Sequence, residues 1–136
     1  MMKSTVNNQV SLNMSIVLKG IIGILSVFFI FAGSVKVFGW QKQILAIQMG
    51  FMQKYGLNRQ ILFLIGLVEL FAAVSIWFQA SIWGVAGALA ILVTSLGALF
   101  FHFRFDRWQD AVPAMVTLTL SAIITGSQAD LLLSYL

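Results

Sequence analysis

The sequence predicts an all-α membrane protein: a polytopic four-helix bundle with an amphipathic helix in the interface between the first and second spans. Three observations carry this. The 136 residues are 60% hydrophobic and only 9% charged, against roughly 25% charged in a soluble domain. In water such a chain would expose large apolar patches. Four segments approach the roughly 20 apolar residues that cross a hydrocarbon core of about 30 Å. Between the first two, a shorter segment places its apolar residues at helical rather than span-length spacing.

A polar segment, residues 1–15, precedes the first span. That span covers residues 16–39, with Lys19 near its start and Lys36 near its end. Its polar lead "MMKSTVNNQVSLN" and its length read as a span rather than a cleaved leader. The second span covers residues 61–78 and holds Glu69; the third covers residues 82–103 and ends in His102. The fourth begins near Ala111 and reaches at least Gly126. Asp110 is expected as its N-cap and Pro113 in its first turn, where a missing N–H costs nothing. The spans form one membrane domain, residues 16–126. Residues 127–136 are a tail or the end of the fourth helix.

"QAS" (79–81) is so short that the second and third spans must be antiparallel neighbours. The first connection is the longest. In "QKQILAIQMGFMQKYGLNRQ", Ile44, Leu45, Ile47, Phe51, Met52 and Tyr55 share one arc at 100° per residue, and Lys42, Gln43, Gln53 and Lys54 fall on the other. This predicts an amphipathic helix ending at Gly56 that lies in the interface or covers the mouth of the bundle. Lys42, Lys54, Arg59, Arg104 and Arg107 cluster in connections 40–60 and 103–110. The positive-inside rule then puts these connections in the cytoplasm. The net charge of +4 reports topology and headgroup contact with the lipid bilayer. No basic run interleaved with aromatics points to nucleic acid.

The intramembrane charges are the sharpest feature. An ionised group near the midplane costs about 3 kcal/mol on insertion scales, so Glu69 needs a partner or a proton. Helical side chains lean toward their own N-terminus. In antiparallel neighbours, Lys36 therefore leans inward and Glu69 leans back toward it, which predicts a Lys36–Glu69 ion pair. Such a pair either locks two helices in register or also meets a ligand or relays protons. His102 approaches from the same side, so Lys36, Glu69 and His102 are the candidates for lining one small polar pocket. One His and one Glu are too few for a metal site, and none is expected. Asp106 and its charged neighbours read as a solvated cluster. With no cysteine, disulfides, thiolate metal sites and thiol relays are excluded. Gly20, Gly23, Gly84 and Gly87, with Ala88 and Ala90, form small-residue stripes that either pack the chain's own bundle or join a homodimer.

"FIFAGSVKVFG" resembles the aG-x-x-K-L signature of the DoxX-like family. "YGLNRQILFLIGLVELFAAVSIWF" resembles that family's second helix, with G-x-x-E at Gly66 and Glu69. A small-residue third helix ending in His102, and Pro113 opening the fourth, complete the ordered set over about residues 16–126. "GSQADLLLSYL" matches nothing in it. The resemblance implies a four-helix bacterial inner-membrane protein. It also implies that Lys36 and Glu69 are the family's intramembrane charged pair, with Gly33 and Gly66 as its small residues. Some members are associated with quinone-linked oxidoreductases, including a subunit of thiosulfate:quinone oxidoreductase; others join redox-stress complexes, and many have no assigned activity. The expectation is an accessory or anchor subunit, not catalytic alone, that binds no cofactor by itself, meets a quinone and holds a redox partner protein. The alternatives are a small proton-coupled transporter or exporter, and a ligand-free assembly factor.

Overall fold

A computed structural model describes residues 2–134 and 136. Among them the elements are helices and the turns that join them. α1 (Met2–Phe38) is followed by α2 (Lys42–Tyr55), α3 (Arg59–Ser75) and α4 (Ile82–Phe105). A 3₁₀ turn (Trp108–Ala111) leads into α5 (Val112–Ser127), and the short α6 (Ala129–Ser134) follows.

α1 is longer than a membrane is thick. Its 37 residues span about 55 Å at 1.5 Å per residue. The apolar stretch is Ser15–Phe38. The polar N-terminal segment continues it as helix, since nothing between Met2 and Gly20 is Pro or Gly. The helix stops at Gly39, which takes φ +65°, a conformation that costs glycine little.

α2 begins at Gln41, whose side chain accepts a hydrogen bond from Gln43 N, and ends at Gly56 in the left-handed conformation, as its sequence predicts. The chain then turns by 118° into α3. Asn58 caps α3 by accepting from Ile61 N at 3.0 Å. α2 touches the ends of α1, α3 and α4, yet none of its residues is fully buried. It therefore lies across one end of the bundle with its polar side outward.

α1 packs on α3, α3 on α4, α4 on α5, and α5 closes back on α1. The shared core is Ile22, Leu25, Phe29, Ala72, Ala73, Ile76, Ala88, Ile91 and Ile124. Polar side chains inside it bond across helices, as the absence of water there demands. Ser26 Oγ donates to Ala73 O at 2.8 Å and accepts from Trp77 Nε1 at 2.9 Å, tying α1 to the end of α3. Ser95 and Thr117 hydroxyls meet at 2.7 Å between α4 and α5. The outer faces carry Ile24, Val27, Val74, Val93 and Phe100, all more than half exposed, as suits a lipid-facing surface.

Three segments are long and apolar enough to cross a membrane: Ser15–Phe38, Ile82–Phe105 and Trp108–Ser127. α3, with 17 residues, reaches the lower limit of about 17 for a span and is the candidate for a fourth. It ends at Ser75, three residues earlier than the sequence pattern suggests. The chain coils into a tight turn there, with Ala80 at φ +63°, and Ser81 caps α4. Asp110 does not cap α5. It sits within the 3₁₀ turn, where its carboxylate accepts from Arg107 N at 3.3 Å, and Ala111 precedes α5 without a side-chain cap. The extra turn moves the first free N–H groups one step back along the chain, so the carboxylate serves them. Pro113 stands in the first turn of α5.

Candidate functional site

The site begins with two glycines. At the crossing of α1 and α3, a Cβ on Gly33 would lie 2.9 Å from Gly66 O, and a Cβ on Gly66 would lie 2.7 Å from Lys36 Cβ. Any side chain there forces the helices apart. Their absence lets the backbones approach closely, and the residues one turn beyond each glycine become neighbours. Lys36 Nζ donates to Glu69 Oε2 at 2.9 Å. The side chains are only 12% and 8% exposed. Glu69 lies about 15 Å along α3 from its first residue, well inside the apolar layer. A close donor–acceptor contact meets the need of both charges there.

Gly84 and Gly87 do the same where α4 meets the end of α3 and the turn that follows it. A Cβ on Gly84 would lie 2.5 Å from Phe78 O, and one on Gly87 would lie 2.3 Å from Ser75 Oγ. This stripe packs the chain's own bundle. Gly20 has nothing within 4 Å, and Gly23 meets only Trp77 at 4.0 Å. Their side of α1 forms a shallow apolar depression with Ile24, Val27 and Phe28. A second depression is lined by Phe71, Val74, Ser75, Phe78 and Trp83. Neither contains Lys36, Glu69 or His102.

His102 belongs to a separate cluster. Its Nδ1 lies 2.9 Å from Asp106 Oδ2 and 3.0 Å from Tyr55 Oη. Tyr55 Oη also donates to Asp106 Oδ2, and Lys54 Nζ donates to Oδ1. The three candidates therefore do not close into one hydrogen-bonded pocket: Lys36 and Glu69 pair, and His102 pairs elsewhere. The reason is the position of α2. It brings Lys54 and Tyr55 over the end of α4 and supplies partners for His102 closer at hand.

Asp106 is also not the solvated charge expected from the sequence. Its side chain has no exposed surface. Burial pushes the Asp106 carboxyl up, but hydrogen bonds from Lys54, Tyr55 and His102, with the Lys54 charge, outweigh it and hold the group below the usual aspartate range. The Tyr55 phenol moves the other way. Burial, then its hydrogen bond to Asp106 and the negative charges of Asp106 and Asp110, raise it well above the ordinary tyrosine value. Tyr55 stacks on Phe101 at 4.8 Å between ring centroids, and Phe51 meets the His102 ring edge-on at 5.0 Å. Sequence reasoning missed Tyr55 and Asp106. The signal was present in part: Asp106 follows His102 by four residues, the spacing of neighbours on one helix face.

At the same end of the bundle, Arg59 Nη2 reaches Val37 O at 3.4 Å, where a cation suits the carboxyl end of α1. Arg59 Nη1 and Gln48 Oε1 are enclosed without a protein partner. Such atoms ordinarily mark a place for water or a polar guest. Among the described residues no group of three or more His, Cys, Asp or Glu is placed to hold a metal ion.

No curated protein and no solved structure matches the chain. The pattern of the DoxX-like family matches residues 21–124, a stretch that contains Gly33, Lys36, Gly66, Glu69, His102 and Pro113. With four packed helices, three of them clear spans, and a family match over most of its length, this multi-pass membrane protein belongs to the DoxX-like family.

Proposed function

We propose that the protein is an accessory or anchor subunit of a quinone-linked or redox-related complex in the bacterial inner membrane. In this reading Lys36 and Glu69 supply a polar point at which a lipophilic ligand such as a quinone is hydrogen-bonded, and His102 serves proton exchange at the membrane surface. The observation that carries the proposal is the Lys36–Glu69 ion pair, nearly closed off from solvent inside a mostly apolar bundle. A buried pair is seldom the most stable filling for such a site. Apolar residues of similar volume often do as well or better, so a functional use explains the pair where stability does not. The chain holds no cysteine and one histidine, so electrons would be carried by a partner chain. Connections 40–60 and 103–110 face the cytoplasm in this arrangement.

The test is quinone retention by protein purified from native membranes. Wild-type protein should retain quinone, and Glu69→Gln should lower retention several-fold while leaving helix content unchanged. No retained quinone in either protein sinks the reading. For orientation, a cysteine placed at Asp130 in this cysteine-free chain should react with an impermeant reagent from outside; protection of that site reverses the assignment. The second reading, a proton-coupled transporter, rests on the same carboxylate as a proton relay. It requires proton-coupled uptake in sealed vesicles that is lost in Glu69→Gln.

A further inference from the structure

The cluster at the end of α4 has a chemical consequence of its own. An ionised carboxylate only accepts hydrogen bonds, so each neighbour of Asp106 must donate. Lys54 donates to Oδ1, and Tyr55 Oη and His102 Nδ1 both converge on Oδ2. Nδ1 therefore carries a proton whether the imidazole is neutral or charged. The atom left to gain or lose a proton is Nε2. It has no partner among the described residues, and it is not among the enclosed polar atoms that lack one. The His102 side chain keeps 16% of its surface exposed.

The ring is also held in place. A half-turn would exchange Nδ1 for a carbon and break its contacts with both Asp106 and Tyr55. Tyr55 is fixed in turn by stacking on Phe101 and by Phe105, whose ring centroid lies 5.5 Å away. Phe51 closes on the imidazole from α2. Among the described residues, the charged and titratable groups of this cluster are Lys54 and Tyr55 on α2 and Asp106 at the end of α4, with the charge of Asp110 in the 3₁₀ turn reaching Tyr55.

We infer that His102 forms a binding site for a phenol or alcohol at the membrane surface, with Nε2 accepting the hydroxyl hydrogen bond and Asp106 holding the imidazole in the Nδ1–H form. A carboxylate behind an imidazole fixes its tautomer and strengthens the far nitrogen as an acceptor. The apolar body of such a ligand would lie beside Phe51 at the edge of the bilayer. Asp106 is a positioning residue: it acts only through His102. The site stands on geometry separate from the Lys36–Glu69 pair and does not depend on that pair's role.

His102 is the only histidine, so ¹⁵N-histidine labelling of the full-length protein in lipid nanodiscs gives two ring signals to follow. With the imidazole neutral, Nδ1 should be the protonated nitrogen. Added 4-hexylphenol should shift the Nε2 signal saturably and move Nδ1 much less. Asp106→Asn should reduce both the tautomer preference and the phenol affinity by about tenfold, the scale of one charge-assisted hydrogen bond. Tyr55→Phe keeps the ring packing and the His102–Asp106 contact, so it should retain the tautomer and most of the affinity. That variant keeps the test meaningful should Asp106→Asn fold poorly. A neutral imidazole protonated mainly at Nε2 overturns the inference. So does a phenol shift that never saturates, or one unchanged in Asp106→Asn. Glu69→Gln should leave these signals as they are, so failure here and failure of the quinone reading are separately visible.

Discussion

The crossing of α1 and α3 makes a sharp prediction for Gly66→Ala. The new Cβ would lie 2.7 Å from Lys36 Cβ and 3.0 Å from both Gly33 O and Val37 Cγ2. Carbon atoms rest about 3.5–4.0 Å apart, so the helices must separate by about 1 Å. Two of the obstacles, Lys36 Cβ and Gly33 O, are fixed to the backbone and cannot rotate aside. Overpacking of this kind costs about 1–3 kcal/mol. Gly97→Ala is the control. It lies in α4 with nothing within 4 Å of its Cβ position and should be neutral or stabilised by up to about 1 kcal/mol through helix propensity. The propensity gain applies at both helical positions, so the two variants should differ by the overpacking cost of about 1–3 kcal/mol. Unfolding by titrated sodium dodecyl sulfate from mild-detergent micelles, followed by tryptophan fluorescence, measures the difference. The same separation carries Glu69 away from Lys36, stretching a 2.9 Å contact beyond hydrogen-bond range of about 3.2 Å. Stabilities of Gly66→Ala and Gly97→Ala within about 0.5 kcal/mol of each other, the scatter of neutral substitutions, would refute the close-crossing argument.

Other outcomes follow from the same contacts. Glu69→Leu leaves Lys36 buried without a partner and should cost about 3–5 kcal/mol, whereas the double replacement Lys36→Met with Glu69→Leu should recover most of it; the same unfolding titration would reveal a double variant no better than the single. Ser26→Ala removes the acceptor for Trp77 Nε1 and the donor to Ala73 O and should cost about 1 kcal/mol, with an altered Trp77 emission as the marker. Docking of α2 should depend on pH at both extremes. Asp106 is lowered in the folded protein, so its contribution is present above the ordinary value of 3.8 and fades as pH falls through the lowered folded value. Tyr55 is raised, so its contribution is present below the ordinary value of 10.0 and fades as pH climbs past it. Hydrogen exchange of the α2 amides should accelerate on both sides of that window, and flat protection through both extremes would contradict the assignment.

The sequence by itself determined the class, the spans and the shape of α2. A chain this poor in charge has one solvent that suits it, and apolar length sets where it crosses. Gly56 marks the end of α2, because a left-handed cap is a local requirement. The meeting of Lys36 and Glu69 was also readable, since side-chain lean and antiparallel packing depend only on helix direction. What the sequence left open is where α2 comes to rest, and this decided the rest of the site. The 118° turn and the contacts of Tyr55 and Lys54 are long-range, with partners 51 and 52 residues away. Periodicity places Tyr55 on an apolar arc but cannot say which helix end that arc will cover. Packing chose the end of α4, so Asp106 became a buried acceptor and His102 was drawn away from Lys36 and Glu69. The early end of α3 and the shift of Asp110 into a 3₁₀ turn have a separate cause: tight connections must satisfy backbone groups that local propensity alone does not count.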